Sequence, residues 1–192
     1  MRDKFEEYII SQTGMPAASV EHISSLACAK TLKRNELLVR AGEVCRNKIF
    51  VVSGLLRNYG VAANGSEHVL QFAPELSWTL DVESYDNGTP AISNIGAVEP
   101  SEVLLWAKAD FDSMLQEYPL LKHFSQQVIS RNIYYNRRRV MTALSASPEE
   151  KYEEFVRSFP KLLGRLPLHM IASYLGISLK TLTRLRHAQL LR

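Results

Sequence analysis

The segment LHMIASYLGISLKTLTRLRH, at residues 168–187, restricts the fold of this chain more than any other stretch. Apolar or small residues recur at helical spacing on both sides of Gly176: Ile171, Ala172, Leu175, Ile177, Leu182 and Leu185. A small residue lets a second helix cross closely, and glycine tolerates the left-handed turn between two helices. Ser178 stands where the second helix needs an N-cap. The segment therefore predicts a helix-turn-helix, with a plain helical hairpin as the weaker alternative.

The charge of the chain is divided unevenly between its two parts. Residues 1–118 hold 10 Lys/Arg against 16 Asp/Glu, a formal charge of −6, and residues 119–192 hold 13 against 4, a charge of +9. From Phe155 onward there are seven basic residues and no acid. This asymmetry indicates a nucleic acid or another acidic surface as partner, and a solvated basic face is the plainer alternative.

The composition is that of an ordinary globular protein, with 46% hydrophobic and 22% charged residues. No apolar run approaches the ~20 residues of a membrane span, so no membrane partner is expected. The amino end, MRDKFEEYII, lacks the core of a signal peptide, which predicts a cytoplasmic protein. In that compartment Cys28 and Cys45 should be free thiols.

Short apolar segments separated by turn residues run from Thr31 to Lys108, after about 30 residues of helical pattern. Their spacing of 8–12 residues predicts a small antiparallel barrel or sandwich. Asn64-Gly65 predicts a hairpin with a type I′ turn, in which both central residues have positive φ.

A long helix is predicted from Pro119 to about Ala146, because proline is favoured in a first helical turn. Leu121, Phe124, Val128, Arg131 and Tyr135 follow alternating spacings of three and four residues. This seam fits either a helix lying on its own barrel or one that pairs with a second copy of the chain. Ser147 and Pro148 then indicate a new helix start.

The outward face of the second helix of the motif carries the candidate DNA contacts. Lys180 and Arg184 are the candidates for reading base edges in the major groove. Ser178, Thr181 and His187 are candidates for phosphate contacts, and Arg186 lies toward the flank. We expect double-stranded DNA as the partner.

The order of these parts resembles the CRP/FNR (catabolite activator) family of transcription regulators, of the cyclic-nucleotide-binding-domain type with a short C-terminus. The resemblance rests on LLVRAGE, IFVVSGLLRNY with Gly54 at a tight turn, NGSEHVLQF, EVLLWAKADFDSML and the helix-turn-helix. It implies an α+β fold: a double-stranded β-helix (jelly-roll) sensor at 1–118, a dimerisation helix at 119–146 and a DNA-binding domain at 147–192. It further implies a homodimer on a palindromic operator, an effector in the roll and RNA polymerase as a candidate partner. The dimer interface would then use Leu121, Phe124, Val128 and Tyr135.

The effector site departs from the family pattern. Members that bind cyclic nucleotides keep a Gly-Glu-Leu stretch and, about ten residues later, an arginine for the cyclic phosphate; this sequence has Pro74-Glu75-Leu76 and no Lys or Arg between Arg57 and Lys108. The resemblance implies a cyclic nucleotide as a candidate effector, whereas the missing arginine argues against cAMP and cGMP, because a phosphate in a buried pocket needs a cation or amide donors. The effector is left unidentified, and its predicted lining is Glu75, Leu76, Trp78, Asp81, Ser93 and Asn94, of which Trp78 could equally belong to the core.

Other functions have less support in the sequence. Two cysteines are too few for an iron–sulfur cluster, and five scattered histidines form no metal-site pattern, so no metal site is predicted. No catalytic motif occurs, which predicts a protein that is not an enzyme. The residues after the second helix of the motif, AQLLR, are too few for a DNA-binding wing, so either DNA is bound without a wing or the affinity for DNA is lower. The alternative function is a protein-interaction module of the same fold that does not bind DNA.

Overall fold

The computed structural model describes residues 1–190, with the side chains of residues 1–188. Contacts between Cα atoms divide the chain into two units. The first, here the N-terminal unit, comprises residues 1–60 and 70–128. The second, the C-terminal unit, comprises residues 61–69 and the chain from residue 129 onward. Each unit is described by itself.

Eight helices and eight strands are present among the described residues. The helices are α1 (Arg2–Thr13), α2 (Ala17–Ser25), α3 (Val82–Asn87), α4 (Lys108–Glu117), α5 (Pro119–Ser145), α6 (Pro148–Ser158), α7 (Leu168–Leu175) and α8 (Leu179–Leu190). The strands are β1 (Cys28–Leu32), β2 (Leu37–Val39), β3 (Asn47–Ser53), β4 (Leu56–Val61), β5 (Glu67–Ala73), β6 (Ser77–Thr79), β7 (Asn94–Ala97) and β8 (Ser101–Ala107).

The strands form two four-stranded sheets, in the orders β1-β8-β3-β6 and β2-β7-β4-β5. The pairings of β8 with β1 and β3, and of β7 with β2 and β4, are antiparallel. These two facing sheets are the roll that the strand spacing predicts, and the α+β jelly-roll fold is confirmed.

The core of the N-terminal unit has two parts. One is aromatic and lies where α1, α2, α4 and the start of α5 cover the roll, with Phe5, Phe50, Trp78, Trp106 and Phe111 among its members. The other fills the roll with aliphatic side chains and Tyr85. Alternation along the strands separates the two, because successive strand residues face opposite sides of a sheet.

Gly54 sits between β3 and β4 at a φ of 89°, as its place in a tight turn predicts. A Cβ built on it would lie 2.6 Å from the carbonyl oxygen of Pro100 and 2.7 Å from the Cα of Ser101. Only glycine fits here, both for its backbone angle and for the space.

The β4–β5 hairpin is present, but its turn is not type I′. Gly65 has a φ of 81°, whereas Asn64 is not among the residues with positive φ. The amide of Gly65 donates to the carbonyl of Ala62 at 2.8 Å, and the amide of Ala62 donates to the carbonyl of Ser66 at 2.9 Å. This is the longer loop in which a turn is followed by one left-handed glycine, so a single positive φ is enough.

Helix α6 in the C-terminal unit begins as the sequence predicts. The Ser147 hydroxyl accepts from the Glu150 amide at 3.2 Å, and the Glu150 carboxylate accepts from the Ser147 amide at 2.7 Å. This is a capping box with proline in the first turn. The backbone hydrogen bond from Ser147 holds the pKa of Glu150 below its usual value.

Candidate nucleic-acid interface and effector site

Helices α7 and α8 form the helix-turn-helix that the sequence predicts. Gly176 ends α7 with a φ of 66°; its amide donates to Ser173 O at 3.2 Å, and the Ile177 amide donates to Ala172 O at 3.1 Å. This pair of bonds is a Schellman motif, which satisfies carbonyls that the helix end leaves open. Ile171 and Leu182 are fully buried, so the two helices are locked by apolar contacts rather than by charge.

Ser178 caps α8, because its hydroxyl accepts from the Thr181 amide at 3.0 Å. The two hydroxyls, Ser178 Oγ and Thr181 Oγ1, are also 2.8 Å apart and hydrogen-bonded. Their main role in this structure is to start the helix. Each hydroxyl retains acceptor and donor capacity for a phosphate at the helix N-terminus.

The exposed face of α8 carries Lys180, Arg184 and His187, as the sequence predicts. Thr183 also lies on this face, and it is not among the contacts predicted from the sequence, although its position three residues after Lys180 places it there. Its hydroxyl donates to Leu179 O at 2.9 Å. Arg186 is exposed toward the flank of this face.

Arg184 is paired in this structure. Its Nη2 lies 3.3 Å from Glu149 Oε1 at the start of α6, with side chains 71% and 51% exposed. Such exposed pairs contribute only ~0–1 kcal/mol, so a stronger anion can displace the carboxylate.

The predicted effector residues divide into two groups. Asp81, Ser93 and Asn94 are engaged in hydrogen bonds of the roll itself. The Asp81 carboxylate accepts from the Ser93 hydroxyl at 2.8 Å and from the Ser84 amide at 3.2 Å, and both side chains are buried. Asn94 Oδ1 accepts from the Ala41 amide at 3.0 Å.

The second group does not line the interior of the roll. Trp78 is 7% exposed and belongs to the aromatic core, with its ring centroid 5.0 Å from that of Phe50. Glu75 and Leu76 are exposed in the turn between β5 and β6. Leu76 has a φ of 59°, held by a 2.8 Å hydrogen bond from its amide to Val51 O.

A cyclic nucleotide does not fit the residues present. The buried Asp81 carboxylate accepts from Ser93, in the segment where the resemblance places the phosphate-binding arginine, and the sequence has no Lys or Arg between Arg57 and Lys108 to hold a phosphate. The interior of the roll instead offers neutral polar atoms. Asn58 Oδ1 and Thr79 Oγ1 are buried and have no hydrogen-bond partner among the described residues. They lie opposite Ile95 and Ile49 in the strand registers, and both isoleucines belong to the interior cluster.

Sequence reasoning missed Ser84, which organises this buried network. Its hydroxyl donates to Thr89 O at 2.6 Å and accepts from the Cys45 amide at 2.8 Å. The signal was its position three residues after Asp81, where a residue completes an N-cap.

Two of the four residues predicted for a dimer interface are buried in their own chain. Leu121 and Phe124 are 1% and 3% exposed within the aromatic core of the N-terminal unit, and Val128 packs against that core. Tyr135, in the C-terminal unit, hydrogen-bonds to the Tyr174 hydroxyl. Leu121 and Phe124 are therefore covered within the N-terminal unit, whereas Tyr135 is 37% exposed, and the dimer interface itself stays a prediction.

A different stripe of α5 is apolar and exposed. Ile129, Ile133, Val140 and Leu144 are between 49% and 82% exposed. Asn136 lies between them and is also exposed.

The tip of the β4–β5 hairpin, taken as residues 61–69 and so including the start of β5, is bound inside the C-terminal unit through its backbone. The Ser173 hydroxyl donates to Glu67 O at 2.7 Å and accepts from the Val69 amide at 3.0 Å. Arg139 Nη2 donates to Val69 O at 2.9 Å and to Tyr174 O at 3.2 Å. Side chains of α5 and α7 thus hold the hairpin tip through hydrogen bonds to its main-chain groups.

Comparisons with known proteins agree with this fold. Residues 29–118 match the family model of the cyclic nucleotide-binding domain. Regulatory protein HlyX of Actinobacillus pleuropneumoniae is 20% identical over 195 residues, which cover 92% of this chain and 79% of HlyX. The structure of FixK2 from Bradyrhizobium japonicum superposes with a TM-score of 0.74 at 15% identity, covering 85% of each chain.

A third relative is the c-di-GMP-responsive global regulator CLP of Xanthomonas campestris. It superposes with a TM-score of 0.76 at 11% identity, covering 91% of this chain and 92% of that chain. Residues 29–118 thus match the cyclic nucleotide-binding domain, and most of the chain is similar in sequence to HlyX and in fold to FixK2 and CLP, which agrees with the resemblance found in the sequence. None of the described helices is long and apolar enough to cross a membrane.

Proposed function

We propose that this chain is a DNA-binding transcription regulator that acts as a homodimer on a two-fold-related operator. The observation that carries the proposal is the face formed by Lys180, Thr183, Arg184 and His187 on α8. These side chains are exposed on a helix that α7 fixes by buried apolar contacts, and such a helix enters the major groove of DNA.

The charge distribution supports the same proposal. No acid follows Glu154 in the sequence, so phosphates on either side of the groove meet no repulsion from this segment. The relatives' names describe regulators, and catalysis is not part of the proposal.

The first test is selection from a random duplex library with the purified full chain, followed by sequencing of the retained DNA. A palindromic site with half-sites about one helical turn, ~34–36 Å, apart is the expected result. No enrichment in the absence or presence of candidate effectors would contradict the proposal and leave the protein-interaction module.

Substitutions on the selected site separate base reading from general attraction. Lys180→Ala should weaken binding by ~1–3 kcal/mol and relax the preference at one base position. The matched control is Arg157→Ala, which removes an exposed cation from α6 and should cost less and leave the sequence preference unchanged.

Arg184 allows a sharper test because of its partner. If the Glu149 pair competes with DNA, Glu149→Ala should strengthen binding and Arg184→Ala should weaken it. If the pair instead positions α8 for binding, both substitutions should weaken binding by similar amounts.

We infer that the dimer uses the exposed stripe of α5. Ile133 and Val140 are seven residues apart, and Ile129 and Asn136 occupy the alternate positions of the same heptad seam. In this seam Ile133 and Val140 occupy a positions, and β-branched residues at a favour two-stranded coiled coils. Ile133→Glu should yield monomers in analytical ultracentrifugation, whereas Arg131→Glu, outside this stripe, should not.

For the effector, we propose an uncharged molecule with hydrogen-bond donors rather than a cyclic nucleotide. It would satisfy Asn58 Oδ1 and Thr79 Oγ1 in the roll, whose unpaired burial costs ~1–3 kcal/mol each. The hairpin strands β4 and β5 continue into the tip bound by Ser173 and Arg139. Binding of the effector would act through these strands and shift the population of DNA-binding conformations. Calorimetric titration with cAMP should show no binding to the full chain. If cAMP does bind, and Asp81→Ala abolishes that binding, the proposal of an uncharged effector is refuted.

A further inference from the structure

We propose that the C-terminal unit contains a second small-molecule site, separate from the roll, which binds a small aromatic carboxylate. The site is an open pocket between α5, α6 and α7, with a cavity volume of about 60 Å³ beneath a wider mouth. The inference does not depend on DNA binding.

The apolar wall of the pocket is aromatic. It is built from Tyr135, Phe155, Phe159 and Tyr174. The centroid of Phe155 lies 5.4 Å from that of Phe159 and 5.6 Å from that of Tyr174, and the Tyr135 and Phe159 centroids are 6.2 Å apart. Rings at these distances offer edges and faces to a flat apolar ligand.

The rings come from all three helices, so the wall is fixed by the packing of the unit. Phe155 is 2% exposed, and the hydroxyls of Tyr135 and Tyr174 are hydrogen-bonded to each other. Burial raises the pKa of both tyrosines, which keeps these phenols neutral. A ligand can therefore enter without displacing a charge from the wall.

The polar rim is cationic. Arg138, Arg139 and Lys151 line the pocket against one acid, Glu154. The Glu154 carboxylate is engaged, because it accepts from the Thr142 hydroxyl at 2.8 Å. Arg139 is held over the Tyr174 ring, with Cζ 4.1 Å from the centroid, and it donates to two carbonyls.

The other two cations have no carboxylate partner within the part of the chain that the structure describes. Aromatic walls with unpaired cations at the rim complement a flat apolar body that carries one negative charge. A carboxylate fits better than an amine, which the three cations would repel.

The test is calorimetric titration of the full chain with 2-naphthoate and with its neutral isostere 2-naphthamide. We expect one saturable site per chain for the carboxylate and about tenfold weaker binding of the amide. Equal affinity for the two compounds, or no binding of naphthoate at millimolar concentration, would overturn the proposal.

Two pairs of variants locate the site. Arg138→Gln should weaken naphthoate binding several-fold, whereas Arg137→Gln, one residue away and outside the pocket, should not. Ser158→Trp should fill the pocket and abolish binding, whereas Glu153→Trp, exposed on the same helix, should not. Binding that survives Ser158→Trp would place the ligand elsewhere and refute the site, even if DNA binding is established.

Discussion

Replacing Gly54 by alanine should destabilise the N-terminal unit severely, for two independent reasons, one in the backbone angle and one in the space around it. The backbone angle of 89° is unfavourable for any residue with a Cβ. The added methyl group would also lie 2.6 Å from Pro100 O and 2.7 Å from Ser101 Cα, which are backbone atoms that cannot rotate away.

The magnitude follows from these contacts. Positive φ costs a residue other than glycine ~1–2 kcal/mol. The displaced Ser101 hydroxyl now accepts from the buried Leu55 amide at 3.1 Å, and leaving that amide unpaired costs a further ~1–3 kcal/mol. With the steric overlap, we expect a loss of at least ~3 kcal/mol, a large share of a typical unfolding free energy of ~5–15 kcal/mol.

Urea unfolding followed by tryptophan fluorescence measures this loss in the correct unit. The chain has only Trp78 and Trp106, whose ring centroids are 5.5 Å apart in the aromatic core. At a denaturant dependence of ~2 kcal/mol per molar urea, the midpoint should fall by more than ~1 M.

Gly60→Ala is the matched control. Gly60 lies in β4 without a positive φ, and a Cβ there would meet no atom within 4 Å. Its midpoint should move little. Equal midpoints for Gly54→Ala and the wild type, at the same protein concentration, would show that the turn relaxes and that the reasoning from contact distances fails.

Three further predictions concern the C-terminal unit and α5. Ser178→Ala should lower the stability of α8 by ~1 kcal/mol, visible as faster amide hydrogen exchange in its first turn, while Ser158→Ala should leave that exchange unchanged. Hydrogen bonds from Ser147 lower the pKa of Glu150 in the folded chain. The ionised Glu150 therefore stabilises the fold fully above pH 4.5, and this contribution is lost as the pH falls through the lowered pKa. The difference in unfolding free energy between wild type and Glu150→Gln should therefore shrink from about pH 6 to about pH 3, and a constant difference would contradict it. Asn136→Val should tighten the proposed dimer roughly tenfold in sedimentation equilibrium, because it removes a polar group from the seam.

Local patterns in the sequence predict the elements of this fold well. The glycine turn and the serine cap of the helix-turn-helix, and the capping box of α6, all depend on residues within four positions of each other. Such signals act through short-range hydrogen bonds and backbone angles, so they are readable without tertiary structure.

The choice between partners is what local patterns do not reveal. Helix α5 carries two apolar stripes, one through Leu121 and Phe124 and one through Ile133 and Val140. The spacing of either stripe is compatible with a helix–helix interface between two chains. Only the fold shows that the first stripe is covered by the chain's own aromatic core.

The effector residues show the same limit. Asp81 and Ser93 are twelve positions apart, and the sequence gives no reason for them to bond to each other rather than to a ligand. Their pairing depends on how α3 and the start of β7 approach in the roll, which is a long-range property of the fold.

The hairpin tip between β4 and β5 is gripped by its peptide groups, through the carbonyls of Glu67 and Val69 and the amide of Val69. Main-chain groups are common to almost every amino acid, so mutation can change the side chains of the tip while these hydrogen bonds are retained. The selective constraint falls on the gripping residues, Ser173 and Arg139. Homologous chains should therefore retain these two while the tip itself diverges freely.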